Sequence, residues 1–89
     1  MIPTKMSTYF SKIIKAGARQ REFNFRQLAA GARLRYHVDV NDDKGNRLVF
    51  KLEKDTDGVW KTAEPDNLPE WIYSAESTLG SSIDEHLSA

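Results

Sequence analysis

Between Arg33 and Ala63 apolar and polar residues alternate almost without interruption. The even positions Leu34, Tyr36, Val38 and Val40 are apolar, while Arg33, Arg35, His37 and Asp39 are polar or charged, which is the period of a half-buried strand. The same parity returns at Leu48, Phe50 and Leu52 against Arg47, Lys51 and Glu53, with Val49 the one apolar residue on the charged side. Two strands of equal parity share an inward face only when opposed residue numbers sum to an even number, so the loop between them must hold an odd number of residues. Asp43-Lys44-Gly45 supplies such a loop, a type I turn closed by a bulge residue whose left-handed backbone glycine adopts freely. The predicted pairs then sum to 88, with Val40 opposite Leu48, Tyr36 opposite Leu52 and Arg35 opposite Glu53. A loop of Lys44-Gly45-Asn46 would keep the parity and instead pair Asp39 with Lys51. Thr56-Asp57-Gly58 repeats the logic with pairs summing to 114, which sets Lys61 opposite Glu53 and turns Trp60 inward beside Lys54.

The flanks are read against this meander. Met6, Phe10, Ile13, Ile14 and Gly17 fall on one helical stripe, which predicts a helix from an N-cap at Thr4 to a stop at Gly17. Phe23 and Phe25, set against Asn24 and Arg26, predict a first strand over Phe23–Leu28, with Leu28 marking a bulge or the strand's end. After Pro65, Asn67-Leu68-Pro69-Glu70 has the parts of a capping box. Leu68, Trp71, Ile72, Ala75, Leu79, Ile83 and Leu87 continue at helical spacing, with a kink expected near Gly80 and disorder beyond His86. The expected architecture is therefore α+β: a four-stranded antiparallel meander with N-terminal and C-terminal helices on one face, in one domain over 1–89 with an ordered core of 4–86.

Composition narrows the function classes. The chain has 89 residues, 39% hydrophobic and 29% charged, with no cysteine, so disulfides, thiolate chemistry and cysteine-based metal sites are excluded. A reducing, cytoplasmic setting is compatible with this. No segment offers the ~18 apolar residues that a membrane-spanning helix needs. A domain this small can hold a shallow groove or a flat interface, but it has little material to enclose a catalytic cavity.

Net charge is zero, yet residues 1–38 carry eight Lys and Arg against Glu22 alone, and residues 39–89 carry five against twelve acidic residues. The basic, serine-containing start overlaps in character with a targeting segment. His37 and His86 lack further ligands at metal-binding spacing. His37 and Asp39 share a strand face and could exchange a proton, but no nucleophile accompanies them. No cofactor, no metal and no enzymatic activity are expected.

Two readings follow. The first is a protein-interaction module that binds a partner, or itself as a weak homodimer, through the outer sheet face or an edge strand, Phe23–Leu28 or Val59–Ala63. Val49, Val59, Lys51 and Lys61 are its candidate contacts. The second is a nucleic-acid-binding domain using a positive region of Arg19, Arg21, Arg26, Arg33 and Arg35. Against it, the outer face lacks aromatic residues for bases to stack on and carries Asp39 and Glu53.

Overall fold

The structure, a computed structural model, describes residues 9–28, 34–64 and 67–88. Five strands form one antiparallel sheet in chain order: β1 (Tyr9–Ala16), β2 (Arg19–Leu28), β3 (Arg35–Asn41), β4 (Arg47–Lys54) and β5 (Trp60–Glu64). Two helices follow, α1 (Glu70–Ser74) and α2 (Glu76–Ser88), and cover one face. The protein is α+β as its pattern predicts, with one strand more and a different N-terminal element.

The central register follows the parity argument. Pairs of β3 and β4 run from Arg35–Glu53 to Asn41–Arg47, each summing to 88. In β4 and β5, Lys54–Trp60, Glu53–Lys61 and Leu52–Thr62 sum to 114 before a bulge at Lys51/Leu52. The two loops share one construction. Asp42 and Asp55 each open a turn in which a glycine amide bonds back to the aspartate carbonyl, Gly45 to Asp42 at 3.1 Å and Gly58 to Asp55 at 3.0 Å. Each aspartate's Oδ1 also accepts the amides two and four residues on, all at 2.8 to 2.9 Å. Both glycines have positive φ, 86° and 83°, a conformation that a side chain would strain.

The N-terminal helix expected from Thr4 to Gly17 is not what forms. Residues 1–8, with Thr4, lie outside the described residues, and Tyr9–Ala16 is a strand paired with β2 from Tyr9–Arg26 to Ala16–Arg19. The first expected strand, Phe23–Leu28, is the second half of a longer β2. The two strands are joined by the two-residue loop Gly17-Ala18, and Gly17 has φ 74°, the glycine-first arrangement of a II′ turn. An odd pair sum of 35 flips the parity, so Phe10, Ile14 and Ala16 share the helix-covered face with Phe23 and Phe25. Ile13, placed by the helical reading on the apolar stripe, points to the other face and is 63% exposed. Leu28 pairs with Arg35 as the last residue of β2, so it marks the strand's end rather than a bulge.

The C-terminal apolar periodicity does produce helix, broken differently from expectation. Its first residue is Glu70, the N-cap is Pro69, and Asn67 makes no side-chain cap. The interruption falls at Ala75 (φ −96°, ψ 0°), not at Gly80, and α2 continues past His86 to Ser88. Gly80 instead lets α2 approach β5: a Cβ there would lie 2.7 Å from the Trp60 side chain.

Tyr36, Phe23, Phe25, Phe50, Leu52, Ile72, Leu79 and Ile83 form the centre of the core, each large apolar side chain contributing about 1.5–3 kcal/mol by leaving water. Arg21 locks the β1–β2 end of the molecule. Its Nε donates to the Ala16 carbonyl at 3.0 Å and its Nη1 to Asp43 at 2.9 Å, while its guanidinium lies 3.7 Å over the Trp71 ring.

Candidate functional site: the open face and edge of the sheet

The division of charge along the chain becomes a division between layers. After Lys61 the sequence has no Lys or Arg, and the helices present Glu70, Glu76, Asp84 and Glu85. By strand parity the uncovered sheet face carries Lys15, Arg26, Arg35, Arg47, Lys51 and Lys61 against Glu22, Asp39 and Glu53. Lys12–Glu85 at 3.4 Å and Lys54–Asp84 at 3.2 Å tie the layers together. Cations outnumber carboxylates on the uncovered face, where Arg35–Glu53 at 3.3 Å and Arg47–Asp39 at 2.9 Å offset part of the excess.

The sheet's two edges also differ. At β5, the Thr62 amide donates to Glu76 Oε2 of α2 at 2.8 Å, so a backbone donor is satisfied by a side chain. Trp60 is fastened to the same helix through Nε1 to Asp84 at 3.0 Å. At the other edge, among the described residues, no strand lies beyond β1. Its eight residues leave every second backbone group pointing away from β2. Tyr9 and Ile13, 55% and 63% exposed, stand on its outer face, separated by Ser11. Lys15 is exposed and has no ion-pair partner among the described residues.

Cross-strand pairing sets Tyr9, Arg26, His37 and Lys51 side by side across four strands. Beside this row lies a shallow hollow of about 200 Å³ lined by Tyr9, Asn24, Arg26, His37, Asp39 and Arg47. Burial pushes the Asp39 carboxyl up, but hydrogen bonds from Arg47 (2.9 Å) and Asn24 (2.8 Å) outweigh it and hold the group below the usual aspartate value. Asp39 thus stays an anion that cancels Arg47, while Arg26 is exposed and has no ion-pair partner among the described residues. His37 and Asp39 border one hollow, whose described lining carries the Tyr9 phenol but no serine or threonine. His86 stacks on Phe10 at 4.1 Å, and no group of three or more metal-ligating side chains occurs among the described residues.

The residues expected to make contacts are partly dispersed. Val49 and Lys51 lie on the outer face of β4, and Lys61 lies on β5 opposite Glu53. Val59 precedes β5 and lines a different feature, a groove of about 310 Å³ with Trp60, Glu76, Ser77, Gly80 and Asp84. Of Phe23–Leu28, one of the two expected edges, residues 23–26 are interior because β1 pairs with them. The four described arginines of the five do not make one positive region. Arg19 and Arg21 both bind Asp43 (3.1 and 2.9 Å) on the helix-side parity of β2, Arg26 and Arg35 lie on the outer face, Arg35 3.3 Å from Glu53, and Arg33 is outside the described residues.

Tyr9, Ile13, Lys12 and Lys15 escaped the sequence reading because β1 has no polar–apolar alternation. Each of its faces mixes both kinds, and the same residues fit a helical stripe. The available signal was Gly17-Ala18 flanked at equal distance by Phe10 and Phe25. Compared with protein-family models, with curated proteins and with solved structures, the chain matches none.

Proposed function

We propose that the protein is a non-catalytic interaction module that takes up a strand of a protein partner at the β1 edge, with the adjoining outer face as the contact surface. The observation that carries this reading is the contrast between edges: β5 donates its Thr62 amide to Glu76, whereas among the described residues β1 ends the sheet with Tyr9 and Ile13 exposed beside it. Main-chain pairing supplies affinity in strand addition, and alternate side chains supply specificity. A photo-crosslinking residue at position 13, compared with one at Ser81 on the exposed side of α2, tests it in the cells that make the protein. A protein adduct formed from position 13 alone is expected. Identical adducts from both positions, or none from position 13, refute the reading.

A second reading rests on the row Tyr9–Arg26–His37–Lys51. A phenol, a guanidinium and an imidazole are planar groups on which unpaired bases stack, and the neighbouring cations suit phosphate. Strand β1 therefore adds to the outer face an aromatic ring that a four-strand arrangement lacks. Residue-by-residue amide shifts on titration with a single-stranded oligonucleotide separate the readings: shifts along this row that fade with salt support nucleic-acid binding.

A further inference from the structure

We infer that the strand accepted at the β1 edge is acidic, with carboxylates placed to meet Lys12 and Lys15, and that the same two lysines disfavour a second copy of the chain. The inference rests on the strand-addition reading and names the partner's chemistry. Lys12 and Lys15 lie on opposite faces of β1, Lys12 on the helix side and Lys15 on the outer side. Both faces of the seam therefore carry a cation. Lys15 has no ion-pair partner among the described residues, and Lys12 shares only Glu85, whose side chain is 73% exposed. Arg26, directly across from Tyr9, extends the positive field inward from the edge.

Pairing β1 with its own copy would bring four lysines into one narrow seam. A register centred on position 12 sets Lys12 directly against Lys12 of the second copy, and like charges so placed oppose pairing. A single-stranded polyanion finds the cations but gains nothing from the β1 backbone donors and acceptors that face no strand among the described residues. It also meets Glu22 and Asp39 on the same face. An extended peptide with carboxylates opposite positions 12 and 15 and apolar side chains opposite Tyr9 and Ile13 satisfies the backbone, the exposed apolar groups and the cations together. In antiparallel register that sequence is Glu-Val-Val-Glu-Thr-Val-Val.

The capped peptide Glu-Val-Val-Glu-Thr-Val-Val, extended by a neutral soluble tail, is titrated into the isotope-labelled chain beside the same peptide with lysine at both glutamate positions. The acidic peptide is expected to shift amides of residues 9–16 and to weaken as salt rises, and the lysine peptide to bind detectably less. Lys15→Glu, at an exposed position, should weaken the acidic peptide by roughly fivefold at low salt and improve the lysine peptide. The thermal midpoint of this variant checks that the fold is intact.

Equal binding of both peptides, or preference for the lysine peptide by the unaltered chain, overturns the inference. So does failure of both, and the crosslink from position 13 then reports separately whether strand addition survives with a partner of other chemistry. A uridine oligonucleotide that shifts residues 9–16 more strongly than the acidic peptide overturns it in favour of nucleic acid.

Discussion

The two edges of this sheet solve the problem of unpaired backbone in opposite ways. The β5 edge is handled from within: α2 leans over it, Glu76 accepts the Thr62 amide, Asp84 accepts from Trp60 Nε1 and Lys54, and Gly80 allows the close approach. The β1 edge has no such cover among the described residues, and its protection is two lysines. A helix closes an edge to every partner, whereas charge closes it only to partners of like charge. The difference teaches that an edge guarded by charge alone remains selective rather than sealed.

The contrast can be broken most forcefully at Gly80. Gly80→Ala would place a methyl group 2.7 Å from Trp60, and overpacking of this kind costs about 1–3 kcal/mol, with the upper end expected because a helix backbone and a buried ring must separate. Thermal or denaturant unfolding measures the loss. Exposure of Trp60 by fluorescence would show that β5 has lost its cover, and an unchanged midpoint would mean that the close approach is not what holds α2.

At the opposite end, Arg21→Ala removes a buried guanidinium together with its bonds to Ala16 and Asp43 and its stacking on Trp71. A loss of about 2 kcal/mol is expected, reduced from a fully buried pair because Asp43 is 62% exposed and re-solvates. Hydrogen exchange should rise first in β1 and β2. Uniform acceleration across the sheet would show that Arg21 does not act locally.

Glu76→Ala makes the two edges more alike by freeing the Thr62 amide. Stability should fall by about 1 kcal/mol, and sedimentation should show more concentration-dependent association than the parent chain. A monomer of unchanged stability would remove the assigned role of Glu76.

The smallest effect concerns the middle of the sheet, between the edges. Hydrogen bonds, first from the Asn46 amide, hold Asp42 below the ordinary aspartate value, and Asp39 is likewise lowered on balance. A carboxyl lowered in the folded state stabilises it fully above the unfolded value of about 4 and loses that contribution as pH falls through the folded value. Stability should therefore decline below about pH 4, and Asp42→Asn should flatten that decline slightly in acid-titrated thermal unfolding. A parent chain as stable at pH 3 as at pH 6 would contradict it.

What the sequence by itself determined was the meander from Arg35 to Trp60. Alternation fixed which side chains face in, and glycine-closed loops of odd length restricted the pair sums to even values, since a shift of one residue would expose a whole apolar row; the structure then took 88 rather than the two-residue-shifted pairing of Asp39 with Lys51, and 114 for the second hairpin. The same local logic located the C-terminal helical segment through its periodic Trp71, Ile72, Ala75, Leu79 and Ile83. Only the tertiary structure decided that residues 9–16 are a strand, because their mixed faces satisfy a helix stripe as well as a hairpin partner. The choice comes from Phe10 and Ile14 finding Phe25 and Arg21 opposite them. With β1 in place, residues 23–26 became interior and Tyr9, Lys12, Ile13 and Lys15 came to stand at the edge. The candidate site follows from which strand is last in the sheet, a property of how the strands are assembled that no local pattern carries.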